Sequence, residues 1–384
     1  MEFAGEVGYV WRAARRFRPA EKSRRVGKRE ARMVRGLVSP ATGRRLRVAA
    51  LSTAFAPAAA LCALANDSTA ELTAGGLVLA KSADIEMRSE DLAISDKLID
   101  VHYRFFNRAA ADVAVTVAFP MPDIVWDGPD VNIAVPDPDS PNFLDFHTFV
   151  DGREVVAQNQ QKAFSGGVDI SQRLTALGVP LAPQRQATWK ALDGLKKADQ
   201  DALVKAGIAV PDDYDAGKGW EHHLAPRWTL KSSFFWTQTF PAGREIAVEH
   251  RYRPSVGETV GTMLGSPRIE ADELARYQKL YCVDSDFIAG AKRAQNVDAT
   301  GEMRTPFYEK RIAYVLTTGA NWAGPIGDFR LTVDKGAPDS LVSICAEGVK
   351  RIAPTLFEVR HANFTPTRDL DLLILYRPPK NDGG

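Results

Sequence analysis

The chain has 384 residues, 45% of them hydrophobic and 25% charged, a balance that supports a packed core and excludes a disordered or fibrous polypeptide. Its formal net charge of +1 hides two opposed parts: residues 1–65 carry 14 Lys and Arg against 4 Asp and Glu, and residues 66–384 carry 35 against 44. The body therefore lacks the basic excess that nucleic acid requires, and the leader has a task of its own.

That task reads as export. Arg44, Arg45 and Arg47 precede the uncharged, Ala-rich stretch Val48 to Leu64, which ends in Ala63-Leu64-Ala65. A positive region, an apolar core and a small-x-small end are what a signal peptidase reads, so cleavage is expected between Ala65 and Asn66. Pro57 and the many alanines argue against a retained anchor, so no membrane span is expected after cleavage. Leu61 before Cys62 argues against lipid attachment, and Arg47 stands where a twin-arginine signal takes an apolar residue, which favours the general secretory route. Residues 1–32 lack apolar periodicity and precede Met33, the expected true start. The mature protein is thus expected in the periplasm or the medium.

From residue 77 the pattern has period two. Ile99, Val101, Tyr103 and Phe105 alternate with Asp100, His102 and Arg104, and Val113, Val115, Val117 and Phe119 follow the same rule, as expected of strands with one face buried. The Pro- and Asp-rich stretch 120–142 is expected to be a long loop, and 146–157 a hairpin turning at Asp151-Gly152. Leu192, Leu195, Ala202, Leu203 and Ala206 have helical spacing, which predicts a small helical insertion over about 169–209 that stops at Gly207. Strands resume at 228–240 and 244–252. A helix is expected at Leu274, Tyr277 and Leu280, and another capped by Ser285. Alternation returns at Ile312 to Leu316, Phe329 to Val333 and Leu370 to Tyr376. The fold class expected is mainly β: two antiparallel β-sandwich-like domains, 66–260 and 261–377, with the insertion, a few extra helices and a tail over 378–384.

The stretches Asp84 to Asp91, Tyr103 to Asn107, Ala118 to Pro122 and Thr318 to Gly327 resemble signatures of the bacterial domain-of-unknown-function family 4424. The resemblance spans nearly all of 66–377. It implies an exported bacterial protein and carries over no catalytic residue.

The residues themselves offer few chemical motifs. Gly-x-Ser-x-Gly, His-Glu-x-x-His and Cys-x-x-Cys are all absent from the sequence, so no metal or cofactor is expected. Arg88-Ser89-Glu90-Asp91 draws notice because Ile85 and Met87 share one parity and Leu92 and Ile94 the other. A phase change inside a strand implies a bulge that re-aims side chains. With Trp322, which stands among small residues, these four form the candidate ligand or partner site. Glu221-His222-His223 has metal-ligating residue types, but neighbouring side chains on a strand point apart, so a solvated loop is expected; the aspartates 127, 130, 137 and 139 read as an acidic loop, His102 as a surface residue and His250 as a core histidine. With Cys62 leaving in the leader, Cys282 and Cys345 remain, an even pair in an oxidising compartment and an expected disulfide. The reading favoured is a non-enzymatic binding or adaptor protein of the envelope, its partner an envelope protein or glycan. An envelope hydrolase using Glu90, Asp91 and Trp322 on glycan or peptide, and an assembly component joined through a sheet edge, are the alternatives.

Overall fold

In the computed structural model the described residues are 66–73, 76–215, 217, 219–297 and 303–379. The basic leader, Ala65 and the last five residues lie outside them. The chain is mainly β. One sheet runs in the order Val168–Asp169, Gln158–Ser165, Trp220–Phe240, Val113–Pro120, Ser68–Thr73, Gly76–Ala80. The 21-residue strand Trp220–Phe240 also pairs with Ala209–Asp215 and Ile124–Asp127. A second sheet runs Lys350–Arg351, Leu356–Phe364, Ile326–Asp334, Ile85–Ile94, Ile99–Asn107, Glu245–Tyr252, His147–Val150, Arg153–Val155. A third runs Leu341–Ile344, Leu370–Tyr376, Tyr308–Tyr314, Val256–Thr259, Ile133–Ala134.

Period-two patterning builds the second sheet. Ile99, Val101, Tyr103 and Phe105 are buried while His102 and Arg104 face solvent, because successive residues of a strand point to opposite faces. Residues from all three sheets meet in one core: Val101 and Phe105 of the second, Phe119 and Phe234 of the first, Ile312 and Leu372 of the third. Burying each such side chain contributes about 1.5–3 kcal/mol. Leu370–Tyr376 is covered on both faces, with Leu372 and Ile374 in that core and Leu373 and Leu375 packed under the helices Ala271–Tyr281 and Ser285–Arg293, hence its almost unbroken apolar sequence. Strand pairing crosses position 260: Ile326–Asp334 lies parallel to Ile85–Ile94, Asp328 opposite Ser89.

The phase change at residues 85–94 is a bulge. The register with Ile99–Asn107 shifts between Met87 and Ser89, so Arg88 is the extra residue. Its consequence is that Glu90 falls on the buried face with Leu92 and Ile94. Gly327 is where the parallel strand meets this bulge, and a Cβ there would stand 2.6 Å from the Arg88 carbonyl oxygen, closer than any side chain allows.

The hairpin turning at Asp151-Gly152 is present, Val150 pairing with Arg153, and so is the helical insertion, as Ser171–Ala176, Gln186–Asp193 and Lys197–Lys205. Three details differ from expectation. The stretch 120–142 contains the short strands Ile124–Asp127 and Ile133–Ala134, which extend sheets already built by longer strands. The strand expected from 228 begins at Trp220 and so carries Glu221, His222 and His223. Asp284, not Ser285, caps the second helix of the carboxyl-terminal pair, its carboxylate accepting from the Phe287 amide at 2.7 Å; both residues are capping types, and the backbone turns one position earlier.

Cys282 and Cys345 form a disulfide with Cα atoms 5.1 Å apart. Cys282 ends its helix in the left-handed conformation, and the bond ties that helix to the end of Leu341–Ile344. For a 63-residue separation the chain-entropy model gives about 4 kcal/mol. Replacing both cysteines by alanine is expected to lower the calorimetric Tm by several degrees, and an unchanged Tm would show that the bond constrains nothing. Gly327→Ala is expected to cost about 1–3 kcal/mol in urea unfolding, through the clash with the Arg88 carbonyl.

Candidate functional site

The bulge that turns Glu90 inward leaves Arg88 and Asp91 outside. The Arg88 guanidinium lies over the Phe106 ring at 3.6 Å and 3.7 Å from Glu245, and Asp91 pairs with Arg330 at 3.2 Å. Ser89, in the sheet between Arg104 and Asp328, is on the same outer side. Glu90 and Trp322 instead enter the core, 1% and 3% exposed, and the structure brings these two together around the chain's own segment Asn66-Asp67.

That segment, which is fully buried, is held at nearly every polar atom. The Asn66 amide donates to the Thr318 hydroxyl, and the hydroxyl donates back to the Asn66 carbonyl at 2.6 Å. Asn66 Nδ2 donates to Glu90 Oε2 at 3.0 Å, and Asn66 Oδ1 accepts from the Tyr103 hydroxyl at 2.5 Å. The Asp67 carbonyl accepts from Trp322 Nε1 at 2.6 Å, and Asp67 Oδ1 lies 3.0 Å from His250 Nε2. Tyr314 completes the set, its hydroxyl 3.0 Å from that of Tyr103 and 3.4 Å from Glu90 Oε1.

The turn Thr317–Asn321 and the residues after it supply one wall of this cradle. Beyond the contacts of Thr318 and Trp322, Asn321 Nδ2 donates to the Ser68 hydroxyl at 3.0 Å, and the Ala323 amide donates to the Ile85 carbonyl at 2.8 Å. Gly319 permits the close fit, since a Cβ there would stand 2.7 Å from Asn66 Nδ2.

The electrostatics are demanding. Burial pushes the Glu90 carboxyl up to about 8, opposed by its bonds from Asn66 and Tyr314 and reinforced by the charge of Asp67. Burial also raises Asp67, with His250 acting in the opposite direction. Among the described residues no lysine, arginine or histidine is paired with Glu90. The cradle thus holds two carboxyl groups and one imidazole. Of its members, Tyr103 and Thr318 fall in the stretches that carry the family resemblance, and His250 reads correctly as a core histidine. Tyr314 reads as a strand position of the alternation from Ile312, but nothing local shows the pairings of Asp67 and Tyr314, whose partners are 183 and 211 residues away.

A second feature is open to solvent. Beside the helical insertion lies a cleft of about 630 Å³, lined by Asp139, Trp189, Lys190, Asp212, Tyr214 and His223 among others. The His223 ring stacks on Tyr214 with centroids 5.0 Å apart. Its two nitrogens lie 2.7 Å from Asp193 and 3.3 Å from Glu221, and these carboxylates raise its pKa, the Asp193 bond most. With both ring nitrogens so engaged, neither is free to ligate a metal in this arrangement. Trp189 is oriented by its indole bond to the Pro183 carbonyl at 2.9 Å. Among the described residues one further group, Asp100, His102 and Glu249, has three ligand atoms within 4.8 Å of one another. Arg251 lies 3.5 Å from Asp100 and 2.5 Å from Glu249, so a guanidinium is already their charge partner. No helix among the described residues is long and apolar enough to cross a membrane.

Two substitutions test whether the cradle is as tight as described. Gly319→Ala forces the Asn66 amide out of its bond to Glu90 and is expected to cost about 1–3 kcal/mol. Trp322→Phe removes the indole N–H, orphaning the buried Asp67 carbonyl, and leaves a cavity where the larger indole stood, an expected loss of about 2–4 kcal/mol. Both are read from urea unfolding midpoints, and midpoints like the parent's would mean that Asn66-Asp67 is not seated there.

No curated protein matches the chain. Among solved structures, a Legionella pneumophila protein provisionally assigned to nutrient binding is 16% identical, with a TM-score of 0.37 over 81% of this chain and 70% of its own. An M1 zinc metallopeptidase from Deinococcus radiodurans is 10% identical, with a TM-score of 0.19 over 77% of this chain and 43% of its own, so the chain spans less than half of that peptidase. Neither likeness carries a functional argument. The model of the family described as domain of unknown function (DUF4424) matches residues 65–373, which is most of the chain and includes every residue of the cradle. The chain belongs to the DUF4424 family.

Proposed function

We propose that this protein is exported to the cell envelope, where it binds a hydroxyl-rich ligand of glycan type at the cleft beside the helical insertion. Export is supported by the leader pattern that ends at Ala65 and by the disulfide between Cys282 and Cys345, a bond that persists in oxidising compartments. The observation that carries the binding reading is the lining of the cleft. Trp189 and Tyr214 offer ring faces for the apolar side of a sugar, while Asp139, Asp212 and Lys190 offer acceptors and donors for its hydroxyls. A volume of about 630 Å³ suits a small oligosaccharide unit.

The engagement of two of the three cleft carboxylates, leaving Asp212 without an equally free partner to work with, favours binding over hydrolysis. Asp193 is committed to His223 and to the Leu224 amide at 2.9 Å, and Asp139 accepts from the Gln186 amide at 3.2 Å. Groups so occupied hold loop and helix in place, and they are poorly available as general acid or nucleophile.

Isothermal titration with soluble fragments of envelope glycan tests the reading. The parent protein is expected to bind at least one fragment without releasing new reducing ends, and Trp189→Ala is expected to weaken it by about tenfold or more. Absence of binding, or equal binding by the variant, overturns the assignment of the cleft; release of reducing ends would move the protein to the hydrolases.

A further inference from the structure

The cradle poses a problem that the cleft does not. Its two carboxyl groups, Asp67 and Glu90, share one imidazole, and His250 is held at Asp67. Among the described residues Glu90 is bonded by an amide and a phenol alone, so its ionised form lacks a positive partner and burial holds it toward the neutral acid. Burial of an unpaired charge is among the costliest arrangements in a fold. The residue whose side-chain amide touches Glu90 is Asn66, and Asn66 is also the residue that follows the signal-like segment.

We infer that the cluster of Glu90, Thr318 and Tyr103 is a binding site for the chain's own mature amino terminus, and that the α-ammonium of Asn66 supplies the missing charge. The inference rests on the export reading above. Hydrolysis by a signal peptidase adds water across the Ala65–Asn66 amide. The C–N bond breaks, Ala65 keeps the oxygen as a carboxylate, and the nitrogen of Asn66 takes up protons to become an ammonium. A neutral amide with one hydrogen is replaced by a cation with three, at a position already fixed by the Thr318 hydroxyl. Asn66 Nδ2 is 3.0 Å from Glu90, and the α-nitrogen lies four bonds from that Nδ2, within about 5 Å of it. The ammonium is therefore placed to bond Thr318 and to stand no more than about 8 Å from the Glu90 carboxyl, in a low-dielectric setting where attraction over such a distance is little screened.

Two further observations agree. The glycine at 319 keeps the space that Asn66 fills, and Trp322 clamps the next carbonyl. Both belong to the stretch Thr318 to Gly327, so that run is explained as the receptor for the mature terminus.

The pH dependence distinguishes the two states of the chain. With an ordinary amide before Asn66, Glu90 has a pKa of about 8 against 4.5 when unfolded. The folded state then binds more protons than the unfolded one across that interval, so stability falls as pH rises from 4.5 toward 8. With the ammonium in place Glu90 is stabilised as a carboxylate, and this slope disappears. The other titratable groups facing the site, Asp67, His250, Tyr103 and Tyr314, are present in both forms, so Glu90→Gln in each length isolates the share of the pH dependence that belongs to Glu90.

The experiment uses protein purified from the envelope, its terminus first read by mass spectrometry. A terminus other than Asn66 overturns the cleavage reading itself. If the terminus is Asn66, the protein is compared with a form that retains Ala65, released from a fusion exported to the same compartment so that the Cys282–Cys345 bond forms in both, and with Glu90→Gln in both lengths. The Asn66 form is expected to melt about 5 °C or more above the Ala65 form near neutral pH. Only the Ala65 form should lose stability between pH 5 and 8, and Glu90→Gln should erase the difference. The α-amine of the native Asn66 form should acylate at least tenfold more slowly than in urea, a readout that holds even if the glutamine variant does not fold. Equal melting of the two lengths, or an α-amine that reacts as fast in native protein as in urea, overturns the inference.

Discussion

The extra residue at Arg88 governs the centre of this protein. One bulge reverses the parity of a strand, and Glu90 enters a core built mainly of aromatic and aliphatic side chains. A carboxyl group in that position must be satisfied by whatever surrounds it, and the surroundings are built to that end. Asn66 and Tyr314 bond it, Tyr103 holds both of them in turn, and the parallel strand Ile326–Asp334 fits against the bulge because Gly327 has no side chain to strike the Arg88 carbonyl. The same stretch of chain that passes the bulge also wraps Asn66-Asp67 through Thr318 and Trp322. Strand register, glycine placement and the polar cradle are thus one connected arrangement.

Its position explains why this arrangement organises the sheets. Asn66 and Asp67 begin the strand Ser68–Thr73 of the first sheet, Glu90 and Tyr103 lie in adjacent strands of the second, and Tyr314 ends a strand of the third. Hydrogen bonds through the cradle therefore join all three sheets at one point, where the hydrophobic contacts are non-directional and would tolerate sliding. The cleft beside the helical insertion has its own small core, containing Leu174, Leu192, Leu203 and Trp228, which leaves it free to present polar side chains outward.

Much of the architecture was legible in the sequence, and the reasons are local. Period-two alternation marked Ile99 to Phe105 because that sheet has one wet face, and helical spacing marked 169–209. The phase change at Arg88 was visible as a change of apolar parity. The disulfide followed from counting cysteines. Its partners then proved to stand at the ends of a helix and a strand. What local pattern could not show was pairing at a distance. The parallel alignment of 85–94 with 326–334 leaves no mark in either segment alone. Arg88 to Asp91 and Trp322 stood out individually, yet whether each faces solvent or core depends on which strand lies across from it. The separation of Arg88, Ser89 and Asp91 from Glu90 follows from the bulge, and the segment that Glu90 and Trp322 hold begins 24 residues before Glu90. The cleft was invisible for the same reason: Asp139, Trp189 and His223 come from a loop, a helix and a strand that only the tertiary fold assembles.

The central claim is that Asn66-Asp67 is an integral part of the core, clamped by the indole of Trp322. Native-state hydrogen exchange at the Trp322 Nε1–H reports on that clamp directly, because the bond to the Asp67 carbonyl must open for exchange to occur. The account predicts an opening free energy close to that of global unfolding, shared with core amides of Ile99–Asn107. Exchange of that indole hydrogen at the rate of an exposed tryptophan, while those core amides stay protected, would contradict it.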